Sequence, residues 1–91
     1  MAFEWDPAKA KTNFRNHGVR FEEAAAVFDD PYAIVIPDEA EASEERFVGV
    51  GLGALRRVLV VVYTYRGDNI RIISARFAAA HERHEYEAEL P

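Results

Sequence analysis

The residues of this sequence best suited to chemistry are arginines. From Arg46 to Arg76 the chain carries six Arg and no Lys, against a single acid, Asp68. A planar guanidinium offers paired N–H donors that match phosphate oxygens. Arg66 and Arg76 stand near the ends of predicted strands, and Arg83 follows in a predicted helix. Strand parity places Ile70, Ile72, Ser74 and Arg76 on one face, so Arg76 ends an otherwise inward-looking row. Arg66 lies nearer the turn and Arg76 nearer the opposite end, so one pocket holding both is not guaranteed by the spacing. The plainer alternative is that each Arg makes a strand-end ion pair.

Acid–base candidates are few. His17 falls at the end of a predicted helix, where it can act as a general acid or base, or simply cap the last carbonyls. Glu45, opening a strand beside an acidic stretch, is the preferred carboxylate base. Tyr86 shares a helix face with Glu82 and Arg83, and its alternative role is a packing anchor. His81, His84 and Glu85 resemble a metal trio, but no further ligand set accompanies them. The chain has no cysteine, so thiolate sites and disulfides are excluded. No cofactor and no metal are expected.

Charge is segregated along the chain. The net charge is −5, which by itself argues against nucleic acid. Residues 21–45, however, hold nine acids and no base, whereas residues 1–20 and 46–76 carry an excess of Lys and Arg. The basic stretches fit either a solvated surface or a phosphate-binding face, and the acidic stretch is expected to face solvent or a basic partner.

The elements that must position these groups are legible. At 91 residues, 49% hydrophobic with six Phe and four Tyr, the chain reads as one domain over residues 1–91. Its longest apolar run, Val58 to Val62, is far too short to span a bilayer. Acidic residues at positions 4 and 6 are unlike a secretory leader, so a cytoplasmic protein is expected. A short strand about Phe3–Trp5 precedes Asp6-Pro7, a helix start with cap and first-turn proline. His17-Gly18 closes that helix. Phe21, Ala24, Ala25 and Phe28 share one face of a second helix over residues 21–28. Tyr32–Ile36 is β-prone, Pro37–Glu44 reads as a loop, and Arg46–Leu52 as a strand. Arg57–Tyr65 is apolar on both faces and should be central. A turn at Gly67-Asp68-Asn69 leads to a strand over Ile70–Phe77, and Ala78–Glu89 forms a last helix. The expected fold is α+β: an antiparallel sheet with two N-terminal helices and one C-terminal helix.

Taken in order, these segments resemble the BrnT family. Phe3-Glu4-Trp5-Asp6-Pro7, Asn16-His17-Gly18-Val19, Phe21-Glu22-Glu23-Ala24 and Phe28-Asp29-Asp30-Pro31 look like its first half. Glu45-Arg46, Val61-Val62-Tyr63-Thr64, Arg71 to Arg76, Glu82-Arg83 and Tyr86-Glu87 look like its second. The resemblance implies a RelE-like fold and a metal-independent endoribonuclease toxin acting on RNA. It also implies neutralisation by a BrnA-type antitoxin with a ribbon-helix-helix DNA-binding part; such antitoxins are dimers, so two toxins per antitoxin dimer are expected. Arg66, Arg76, Glu45, Arg83, Tyr86 and His17 are then the candidate catalytic set. A non-catalytic module that only pairs with the antitoxin and assists repression is the alternative. Two residues depart from the family: Arg20 stands where a hydroxyl cap is usual, and Tyr65 where a polar residue precedes Arg66.

Overall fold

The protein is described by a computed structural model covering residues 2–39 and 45–91. Strand β1 is Phe3–Glu4, helix α1 Pro7–His17 and helix α2 Phe21–Ala24, which tightens into a 3₁₀ helix over Ala25–Asp29. Strands β2 (Ile34–Asp38), β3 (Arg46–Leu52), β4 (Val58–Arg66) and β5 (Asn69–Phe77) follow, and helix α3 spans Ala80–Ala88. The sheet order is β1-β5-β4-β3-β2. The expected antiparallel sheet is therefore corrected to a mixed one, because β1 runs parallel to β5, pairing Phe3 with Ile70 and Glu4 with Arg71. The acidic loop expected over Pro37–Glu44 begins later, since Pro37 and Asp38 belong to β2; positions 40–44 lie outside the described residues.

Local chemistry explains the helix limits. Asp6 caps α1 by accepting the Ala8 N–H at 2.9 Å, and Pro7 occupies the first turn. Gly18 ends it at φ 72 and donates its N–H to the Phe14 carbonyl. Such a left-handed cap costs a non-glycine residue steric strain. Arg20 precedes α2 without a side-chain cap, as its lack of a hydroxyl predicts. The β4–β5 turn has Gly67 at φ 59, the first central position at which a type II′ hairpin requires positive φ.

β4 lies at the centre of the five strands, as its two-sided apolarity predicts. One sheet face is covered by α1 and α2. There Val19, Phe21, Ala24, Val27, Leu59, Val61, Ile72 and Ala75 form the buried core. Edge-on aromatic contacts extend it, Trp5 on Phe21 at 5.8 Å and Phe28 on Tyr63 at 4.7 Å between centroids.

The β4–β5 ladder contains the irregularity that matters most for the site. Val62 pairs with Ser74, but the next residue, Tyr63, pairs with Ile72, so Ile73 is left over in a bulge. An extra residue reverses the facing of everything beyond it. Buried Asn13 holds this stretch. Its carboxamide accepts the Ala75 N–H at 3.0 Å and donates to the Ala75 carbonyl at 2.8 Å and the Val19 carbonyl at 3.0 Å. Beyond the short β1, Asn13 thus supplies the hydrogen bonds that a neighbouring strand would have made.

Candidate active site

The bulge changes the reading of Arg76. Ile70 and Ile72 face the core, but after Ile73 it is Ala75 that is buried, while Ser74 and Arg76 turn to the other face. Arg76 therefore does not end the row of Ile70 and Ile72; the simple alternation fails by one residue. It lies opposite Val60 and meets α3. Its Nη1 and Nη2 donate to the two carboxylate oxygens of Glu82 at 2.8 and 2.9 Å. Glu82 also accepts the Ala79 N–H at 2.8 Å, satisfying the start of α3. With Arg76 as the main cause and the Ala79 amide adding to it, the Glu82 carboxyl is held down at about 2. The same contact raises Arg76 above the ordinary arginine value. The Arg76 side chain stays 45% exposed, so an anion can approach it, but its charge is already balanced.

Tyr86 anchors the far end of α3. It is buried, and its hydroxyl donates to Asp30 Oδ2 at 2.6 Å. Asp30 also accepts the Leu52 N–H at 2.9 Å and, through its other oxygen, the Tyr32 N–H at 2.9 Å. Burial and the bond to Asp30 push the Tyr86 phenol up to about 12. Burial opposes ionisation of Asp30, yet the bonds from Tyr86, Leu52 and Tyr32 hold it below the usual aspartate value. Two polar contacts, Arg76–Glu82 and Tyr86–Asp30, thus fasten α3 to the sheet and to the end of the 3₁₀ helix.

The six sequence-predicted residues do not form one cluster. Arg76 and Tyr86 take part in the two contacts that join α3 to the rest of the fold, and Arg83 is an exposed residue of the same helix. Arg66 pairs with Asn69 beside the turn, whereas Arg76 pairs opposite Val60. Six residues of β4 separate these registers, roughly 20 Å at strand rise. Glu45 stands near Arg66, since its carbonyl accepts the Thr64 hydroxyl. His17 is exposed at the end of α1, on the opposite face from Arg76. Among the described residues, Arg66 and Arg83 make no ion pair, while Arg57 is bound by Glu23 and Arg71 by Glu4. His81 and His84 are exposed, and no three His, Asp or Glu side chains converge as a metal site among the described residues.

A family model described as the ribonuclease toxin BrnT of type II toxin–antitoxin systems matches residues 5–82. That stretch runs from Trp5 to the first turn of α3. The chain belongs to the BrnT family. A similar solved structure is the crystal structure of the Brucella abortus ribonuclease toxin BrnT, 28% identical, with a TM-score of 0.70. The likeness covers 87% of this chain and 97% of that one. Among curated proteins none matches the chain. The BrnT match contains His17, Glu45, Arg66 and Arg76 and stops at Glu82, one residue before Arg83. Sequence reasoning missed Asn13, Asp30 and Glu82 as the groups that position this end of the molecule. Asp30 alone gave a signal, standing in Asp29-Asp30-Pro31 where a helix ends. Asn13 inside a helix and Glu82 in an acidic one gave none, because their partners are remote in the chain.

No helix among the described residues is long and apolar enough to cross a membrane.

Proposed function

We propose that this chain is a cytoplasmic, metal-independent endoribonuclease toxin built on a RelE-like scaffold. The observation that carries the reading is the BrnT family match across residues 5–82. In such a reaction the RNA 2′-hydroxyl attacks the adjacent phosphorus, the bond to the 5′-oxygen breaks, and a 2′,3′-cyclic phosphate remains. A base takes the hydroxyl proton, cations stabilise the charged phosphorane, and an acid protonates the leaving oxygen. Arg83, unpaired, and Arg76, which would share its guanidinium between Glu82 and phosphate, fit the cationic role. Tyr86 is buried and bonded to Asp30, so it is a positioning residue that fixes α3. His17 and Glu45 are the proton-transfer candidates; His17 stands on the opposite face from Arg76 and Glu45 at the other end of the sheet, so a phosphate they serve is not one bound at Arg76 in this arrangement.

The partner in this reading is a BrnA-type ribbon-helix-helix antitoxin, with two toxins on one antitoxin dimer. Inducing the chain alone in bacteria should arrest growth, and co-expressing the antitoxin should relieve it. Sedimentation of the pair at micromolar concentration should give the two-to-two assembly; a one-to-one heterodimer would refute that stoichiometry. A non-catalytic antitoxin-binding module is the second reading. It is favoured by the engagement of Arg76 with Glu82 and of Tyr86 with Asp30, and unimpeded growth on induction of folded protein would select it.

A further inference from the structure

We propose that the groove between α1 and α2 binds single-stranded RNA, with Lys11, Arg15 and Arg20 on phosphates and Trp5 and Phe14 against bases. This rests on the ribonuclease reading and names where the substrate is held beside the scissile phosphate. The groove encloses about 590 Å³, within the range of small-ligand clefts. Its cations are available. Among the described residues, Lys11, Arg15 and Arg20 make no ion pair, in contrast to Arg57, Arg71 and Arg76. Glu22 is the one acid lining it, so the local balance is positive although the chain is acidic.

The aromatic groups are equally suited. Phe14 is 42% exposed although it belongs to a packed helix. The Arg20 guanidinium lies over the ring, 4.1 Å from its centroid, so the cation covers one face of Phe14 and a base would use the exposed remainder. Alternating cations with aromatic faces is what sequence-tolerant binding of single strands requires, since every base has a face to stack and every linkage a charge.

The groove is also well placed. α1 and α2 cover the β5 side of the sheet, while Asp38 and Glu39 stand at the end of β2 on the far edge. Three strand spacings separate β5 from β2, roughly 14 Å, which exceeds the Debye length of about 8 Å at physiological salt. Repulsion from those acids is therefore largely screened. Phe14 and Arg20 also line a second hollow that reaches Arg57. The Arg57 guanidinium lies 4.6 Å from the Phe77 centroid, and Phe77 adjoins Arg76. A strand leaving the groove this way passes Glu22 and Glu23, which also line the hollow, reaches Phe77 on the α1–α2 face, and must turn round the end of β5 to meet Arg76 on the other face.

The test uses the full chain and a fluorescein-labelled 2′-O-methyl RNA 12-mer, which has no free 2′-hydroxyl and survives. Anisotropy titrations at several salt concentrations give affinity and salt slope. Three phosphate contacts predict a slope near −2 for a single strand, falling to about −0.7 in Lys11→Gln/Arg15→Gln. Affinity at low salt should drop at least tenfold in that double variant. Phe14→Ala should lose about tenfold with an unchanged slope. All sites are exposed, and circular dichroism checks that each variant is folded. Unchanged affinity and slope in the double variant overturn the groove, whether or not RNA is cut. Loss of antitoxin binding with RNA affinity intact also overturns it and gives the groove to the antitoxin. RNA held through these residues but never cleaved supports the groove and overturns the ribonuclease reading instead.

Discussion

Two side chains at the α3 junction, Tyr86 and Glu82, separate holding from reacting. Tyr86→Phe removes the hydroxyl from Asp30 but leaves that carboxylate its bonds from Leu52 and Tyr32. Stability in urea should fall by about 1 kcal/mol, and RNA cleavage should fall less than tenfold. A loss of a thousandfold in cleavage with that small stability change would make Tyr86 catalytic. Glu82 carries a pH signature. Its carboxyl is held at about 2, against an ordinary 4.5, chiefly by Arg76. A depressed carboxylate stabilises the fold above its unfolded value and ceases to as pH falls through its folded value. The contribution should be full above pH 4.5 and fade toward pH 2. With Arg76 nearly half exposed, solvent screening limits it to about 1 kcal/mol. Wild type should exceed Glu82→Gln in unfolding free energy at pH 7 by that amount, and the gap should close toward pH 2. A gap that stays constant from pH 7 to 2 would show that the ion pair does not act.

Among the elements, β5 decides where the functional groups point. Asn13 satisfies both backbone groups of Ala75 just beyond the bulged Ile73. Asn13→Ala would leave buried N–H and C=O groups without partners, and should cost about 3 kcal/mol in urea unfolding. A cost under 1 kcal/mol would mean that water or a shifted strand replaces the amide. Much of this architecture was legible. The β3 limits, Arg46 to Leu52, agree with the strand read from the sequence after the acidic stretch. The central place of β4 followed from apolarity on both faces, and the α1 ends from Asp6-Pro7 and His17-Gly18. The bulge was not legible, because Ile72 and Ile73 are both apolar and a slip between them leaves the hydrophobic pattern intact. The parallel pairing of β1 was hidden for a different reason: two residues pairing with partners 67 positions away leave no local trace.

At the scale of the whole molecule, charge is divided by geometry. Among the described residues, Lys11, Arg15 and Arg20 stand without ion pairs on α1 and at the start of α2, as Arg66 and Arg83 do elsewhere, while the acids of residues 29–39 attend the 3₁₀ helix and β2. The candidate site shares this division. The sequence pointed to the arginine-rich strands, yet three of those arginines are bound to carboxylates in the fold. Ion pairing depends on contacts between distant segments, and composition does not report it. Membership in the BrnT family sets the expected chemistry, and 2′-hydroxyl attack is its central claim. The most direct measurement incubates the purified, antitoxin-free chain with RNA in EDTA and analyses the products. The account predicts cleavage that persists in chelator, leaves 2′,3′-cyclic phosphate ends, and is absent on 2′-O-methyl RNA. Intact RNA at stoichiometric folded protein, or cleavage that EDTA abolishes, would contradict it.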